Sequence, residues 1–136
     1  MKKISTDNAG NLFVATTTDD SANNLHSIRL AADDALTGTE RSLSQIPVSS
    51  GVSFLDFMFD RTGNLYTLNR DRDYIATLTK YNISGIKEWS MSKSDTFSAS
   101  YATVGNDNNI YAVEAPLYNV NSETSIGKFS PISNFL

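Results

Sequence analysis

Apolar and polar positions alternate along this chain in short runs, separated by polar clusters of Gly, Asn and Asp. The clearest instance is "FMFDRTGNLYTL", residues 57–68. Alternation at a period of two predicts one β-strand before Asp60 and another after Asn64. Gly63 and Asn64 tolerate positive φ, and the Asp60 carboxylate can accept hydrogen bonds from the backbone ahead of it. "D-x-x-G-N" between two apolar runs therefore predicts a hairpin turn. No segment sustains the apolar period of an amphipathic helix, so the expected fold class is all-β.

The phrase recurs. "ISTDNAGNLFVA" lies at residues 4–15 and "ATVGNDNNIYAV" at residues 102–113. Aligned on Asn11, Asn64 and Asn109, the preceding residues are Gly10, Gly63 and Asn108, and the turns begin at Asp7, Asp60 and Gly105. Leu12-Phe13, Leu65-Tyr66 and Ile110-Tyr111 follow. A second anchor ends a third strand in each unit: Arg29-Leu30, Lys80-Tyr81 and Lys128-Phe129, 18, 16 and 19 residues after the respective Asn. "NISG" then turns the chain into a fourth strand, "IKEWSMS", which holds Trp89, the only tryptophan. Its counterpart in the first unit is "RSLSQIPV". The Asn anchors are 53 and then 45 residues apart, and the extra residues are assigned to the polar "AADDALTGTE" stretch after Leu30.

Four short antiparallel strands at this spacing match the period of a β-propeller blade. The strand before the second turn is apolar on both sides. Leu55, Phe57 and Phe59 are expected on one face, and Phe54 and Met58 on the other. Sheets stacked face to face cover both sides of a strand, whereas a two-sheet sandwich exposes one face of each sheet. The expected architecture is a single domain over 1–136. It comprises three four-stranded antiparallel β-propeller blades, approximately 1–48, 49–95 and 96–136, the last incomplete because only eight residues follow Lys128.

"DRTGNLYTLNRDRDYIATLTKYNISGIKEWS" resembles the SBBP-type bacterial β-propeller repeat, which is related to NHL-like and quinoprotein-like propeller repeats. Asp60, Gly63, Asn64, Leu65, Tyr66, Lys80, Tyr81, Gly85 and Trp89 fall on its pattern. The third unit departs from it at Gly105 and Asn108, and the first lacks the Trp. The resemblance implies a repeat module of large extracellular, cell-surface or virion proteins. It carries over no catalytic residue.

Composition narrows the function classes. The net charge of −4 is scattered along the chain, which argues against nucleic acid, and no basic amphipathic or membrane-length stretch points to a membrane. There is no cysteine, hence no disulfide framework or thiolate metal site. Met1, Lys2 and Lys3 resemble the start of a leader, but polar "ISTDNAGN" stands where an apolar segment would follow, so no export signal is expected in this stretch.

Each candidate for chemistry has a structural counterpart. "DNAGN" and "DRTGN" carry oxygen ligands suited to calcium, but lack the alternating ligand run of an EF-hand loop, so Asp7, Gly10, Asn11, Asp60, Gly63, Asn64, Asn108 and Asn109 are read as turn-formers. His26 is the single histidine, too little for zinc or for a nucleophilic triad without partners. An Asp56 facing a central channel would have no second acid in the equivalent strands "MKKIST" and "SASYATV". No cofactor, metal or catalytic residue is assigned. The polar connections "TTTDDSANN", "NRDRDY" and "EAPLYNVNSET" remain as a binding rim, with Arg70, Asp71, Arg72, Asp73, Tyr74 and Tyr118 as contact residues.

The leading expectation is a non-enzymatic β-propeller interaction or structural module, as in a bacterial surface or phage particle. The alternatives are a carbohydrate-binding propeller assembled from short chains and a lactonase-like or lyase-like propeller enzyme. Three blades fall short of a ring, so the expected partner is a second copy in a homodimer, or the remainder of a larger propeller assembly. A protein or glycan partner fits either arrangement.

Overall fold

A computed structural model describes residues 2–20, 25–34, 36–48, 52–73, 75–93, 98–115 and 125–129. The described residues form eleven strands and no helix. Strands β1 (Lys2–Thr6), β2 (Leu12–Asp20), β3 (Leu25–Asp33) and β4 (Glu40–Val48) pair in chain order in one antiparallel sheet. Strands β5 (Ser53–Phe59), β6 (Leu65–Arg70), β7 (Ala76–Tyr81) and β8 (Lys87–Lys93) form a second. Strands β9 (Ser98–Val104), β10 (Ile110–Ala115) and β11 (Ser125–Phe129) form a third, of three strands. Residues 130–136, where an incomplete fourth strand was expected, lie outside the described residues.

The second sheet is buried on both faces, because its strands carry apolar residues at consecutive positions. Phe57 and Leu65 enter one core with Ala15, Ile28, Leu30 and Ile46 of the first sheet. Their neighbours Met58 and Tyr66, with Leu68, Ala76 and Leu78, enter another with Ile110 and Ala112 of the third. Period-two alternation thus sends successive side chains into different cores. Each fully buried aliphatic or aromatic side chain contributes roughly 1.5–3 kcal/mol relative to exposure. The Tyr66 and Trp89 rings meet edge to face, 6.0 Å apart, and Lys80 lies 5.8 Å from the Tyr66 centroid while pairing with Glu88 at 2.6 Å.

Two expectations require correction. Phe54 lies on the Phe57 face, not the Met58 face; the two rings are 5.2 Å apart at 64°. The β5–β6 register shifts between Phe54 and Asp56, so Leu55 is a bulge residue and the parity of the strand reverses there. The second correction concerns Arg29-Leu30. Lys80 pairs with Tyr66 and Lys128 with Tyr111, but the residue paired with Phe13 is Ala32, while Arg29 pairs with Thr16. Strands β2 and β3 are nine residues each, longer than β6 and β7, and β3 continues through buried Ala31 and Ala32. "AA" is therefore strand, and the first hairpin is longer rather than followed by a longer insertion.

The glycines of the second sheet record how tightly it meets the first. Gly63 sits at φ 87°, and a Cβ there would strike the ring of Phe13. Gly85 sits at φ 77°, with a Cβ position 2.7 Å from Ser44 Cβ. The Ser44 hydroxyl also donates to the Ser84 carbonyl at 2.8 Å. Gly10, at φ 82°, has the same backbone and no described neighbour within 4 Å of a Cβ. Gly10→Val should lose about 1–2 kcal/mol through backbone strain. Gly63→Val should lose that plus about 1–3 kcal/mol from overpacking Phe13. Parallel urea denaturation of the two variants at high dilution, where single chains are compared, tests the difference, and equal losses would remove the ring contact from the account.

Candidate functional site

The turns are the most regular polar feature of the molecule. In each D-x-x-G-N loop the first amide donates to the Asn carbonyl and the positive-φ residue donates back to the first carbonyl: Asp7 with Asn11 and Gly10, Asp60 with Asn64 and Gly63. The Asp carboxylate closes the loop from inside. Asp7 Oδ1 accepts from the amides of Ala9 and Asn11 at 2.9 and 2.8 Å, and Oδ2 from Asn11 Nδ2 at 2.7 Å. Asp60 Oδ1 accepts from the amides of Thr62 and Asn64 and from the Thr62 hydroxyl, and Oδ2 from Asn64 Nδ2 and Tyr66 Oη. These carboxylates are engaged by the loops that carry them.

The third turn reaches the same result with different residues. Gly105 stands where Asp is expected, and Asn108 takes the left-handed position at φ 58°. The carboxylate has moved within the loop to Asp107. Its Oδ1 accepts from the Asn109 amide at 3.1 Å, and its Oδ2 from Asn109 Nδ2 at 2.6 Å and Tyr111 Oη at 2.8 Å. Asn and Tyr thus keep their acidic partner. A Cβ at residue 105 would lie 2.7 Å from both Asp107 Oδ1 and the Tyr111 ring, so the moved carboxylate occupies the space an Asp side chain would need.

Burial raises the Asp60 pKa, but hydrogen bonds from Asn64 and Thr62 outweigh it and leave the carboxyl below its usual range. Asp7 is lowered chiefly by the Asn11 side chain. Tyr66 is pushed up, first by burial and then by the Asp60 charge. Among the described residues no three His, Cys, Asp or Glu side chains are grouped so as to hold a metal ion.

The expected rim set divides. Arg70 closes β6, register-paired with Ser53 and Ala76. Asp71 is a turn-former, its Oδ1 accepting from the amides of Asp73 and Ile75 at 2.9 Å each. Arg72 and Asp73 are exposed at that turn. Tyr74 and Tyr118 lie outside the described residues. His26 falls in β3, register-paired with Asp19 and Val48. Asp56 accepts from the Phe57 amide at 2.8 Å.

One concavity escaped the sequence reading. A cleft of about 180 Å³ opens between the first and second sheets, lined by Pro47, Val48 and Val52 and by Phe54, Thr67, Asn69, Thr79 and Tyr81. Thr67 and Thr79 are buried and cross-strand neighbours, and burial raises the Tyr81 pKa. Phe54 reaches this cleft because of the bulge at Leu55, which period-two counting does not reveal. No protein-family model matches the chain, and no curated protein matches it significantly.

The depressed Asp7 and Asp60 values set an acid limb. Their stabilisation is complete above the unfolded pKa, at about pH 4, and declines as pH falls through the lower folded values. Thermal melts between about pH 2 and 6 should show falling stability on acidification, and Asp60→Asn should flatten that slope while lowering the plateau. An unchanged slope in Asp60→Asn would place the acid sensitivity elsewhere.

Proposed function

We propose that this chain is a non-enzymatic module of the β-propeller type, built from SBBP-like repeats, whose work is interaction, with a second copy as its first partner. The observation that carries this reading is the contrast between the middle sheet and the outer two. Phe57 has no exposed surface, whereas Ile4 on the first sheet and Tyr101 on the third are 64% and 69% exposed. Three antiparallel sheets, each paired in chain order and joined face to face by two cores, are the construction such a module needs. Asp7, Asp34, Asp60, Asp71 and Asp107 are engaged in closing their own turns, which fits the non-enzymatic part of the reading. A role in a bacterial surface or phage particle rests on the repeat resemblance alone.

The cleft between the first two sheets favours a second reading, carbohydrate binding. Phe54 and Tyr81 supply aromatic surface there, and Thr67, Thr79 and Asn69 supply hydroxyl and amide groups. Glycan-array binding that Tyr81→Ala abolishes would favour it over the self-assembly reading.

Light scattering after size exclusion should give about 30 kDa at low micromolar concentration, twice the chain mass of 14.9 kDa. A folded species of single-chain mass would overturn the self-assembly reading. A broad esterase and lactonase screen should give no turnover that EDTA abolishes; such turnover would restore the enzyme reading.

A further inference from the structure

The repeat lets each exposed position on the outer sheets be compared with its counterpart where a neighbouring sheet is present. Thr6 pairs with Leu12 as Phe59 pairs with Leu65, so Ile4 occupies in the first sheet the place of Phe57 in the second. Phe57 is fully buried against the first sheet, while Ile4 is exposed. Gly63 is filled by Phe13 and Gly85 by Ser44, while Gly10 and Gly38, the positive-φ glycines of the corresponding first-sheet turns, have no described neighbour within 4 Å of a Cβ. Ile4, Val14, Ala31 and Leu43 form one continuous cross-strand row, and Leu43 is half exposed. The first sheet therefore carries, uncovered, the features by which the second sheet receives its neighbour.

The third sheet carries features of a neighbour to be received. Tyr111 stands at the repeat position of Phe13, the residue that fills the Gly63 turn. Tyr101 is exposed on β9 and shares a register row with Val113 and Ile126. Within the chain the first strands of successive sheets approach one another, β1 to β5 and β5 to β9. Continuing that stacking sets β9 of one copy, which carries Tyr101, beside β1 of the next, which carries Ile4. It also sets Tyr111 over the Gly10 turn.

We propose that the uncovered face of the first sheet is the docking site for the third sheet of a second copy, with Ile4 and Tyr101 in mutual contact and Tyr111 seated on Gly10. This rests on the self-assembly reading above and specifies its contact. Such a contact is heterologous, and two copies can form it twice about a two-fold axis.

A charge swap tests the contact. Ile4→Lys and Tyr101→Glu alter exposed side chains and should leave the chain folded, with the circular dichroism spectrum of the parent. Each alone should weaken the dimer by more than about tenfold, since an unpaired charge enters an apolar contact. The double variant should recover much of the loss, because the new charges face each other. Leu43→Lys, at the other end of the same row, should weaken the dimer independently of β1. If the wild type is a dimer and the single variants dissociate no more readily, self-assembly stands and this docking site is wrong. If the single variants dissociate but the double is no better than either, the Ile4–Tyr101 contact is wrong. A monomeric wild type would overturn the site together with the reading beneath it.

Discussion

Two-sided burial of the middle sheet is the constraint from which the remaining features follow. Strand β6 places Leu65 against the first sheet and Tyr66 against the third, so its burial depends on both neighbours. That demand fixes composition: consecutive apolar residues replace the apolar–polar alternation of a half-exposed strand. It also fixes register, because a shift by one residue would exchange the Leu65 and Tyr66 faces and mispack both cores. Truncating one such side chain to Ala costs about 3–5 kcal/mol for a large aromatic, a large share of the whole stability of a small domain.

Close stacking then imposes itself on the turns. A sheet can approach its neighbour only where the loops between strands stay compact. The five-residue loop from Asp60 to Asn64 achieves this by turning the backbone through a left-handed residue and satisfying the Thr62 and Asn64 amides from one carboxylate. Glycine at residue 63 answers two demands at once, the φ of the turn and the ring of Phe13 above it. Asn108 in the third sheet answers the first of these demands with a side chain present. Arg61 adds a link between adjacent turns of the second and third sheets by donating from Nη2 to Asn106 Oδ1.

Much of this was legible in the sequence because turn chemistry is local. Gly10, Gly63 and Asn108 announce left-handed backbone, and Asp7 and Asp60 announce the acceptor that closes the loop, all within five residues. The antiparallel pairing of strands around each turn follows from the same signal. What was not legible depends on pairing at a distance. The bulge at Leu55 changes the face of Phe54 without changing its apolar character, so counting by twos places it wrongly. The place of Arg29 follows the longer arms of the β2–β3 hairpin, which its basic character does not reveal. The cleft around Thr67 and Thr79 needs two sheets to exist, and no single run of sequence contains it. The rim expected at Arg70–Asp73 was legible as polar, but polarity alone does not separate a turn-former such as Asp71 from a contact residue.

The third turn shows what such a loop physically requires. A residue-by-residue comparison records a loss at Gly105, where the carboxylate is gone. The geometry records a conserved interaction: an acid accepts from the Asn side chain and from the Tyr hydroxyl two residues after it, whether that acid is Asp60 or Asp107. The physical requirement is a negative oxygen inside the loop, within reach of Asn and Tyr, and two loop positions can supply it. Gly105 is then a consequence, since a side chain there would collide with the relocated carboxylate and with the ring it holds. Sequence divergence among the units therefore understates their mechanical equivalence. That equivalence is what sets Ile4 in register with Phe57 and Gly10 with Gly63.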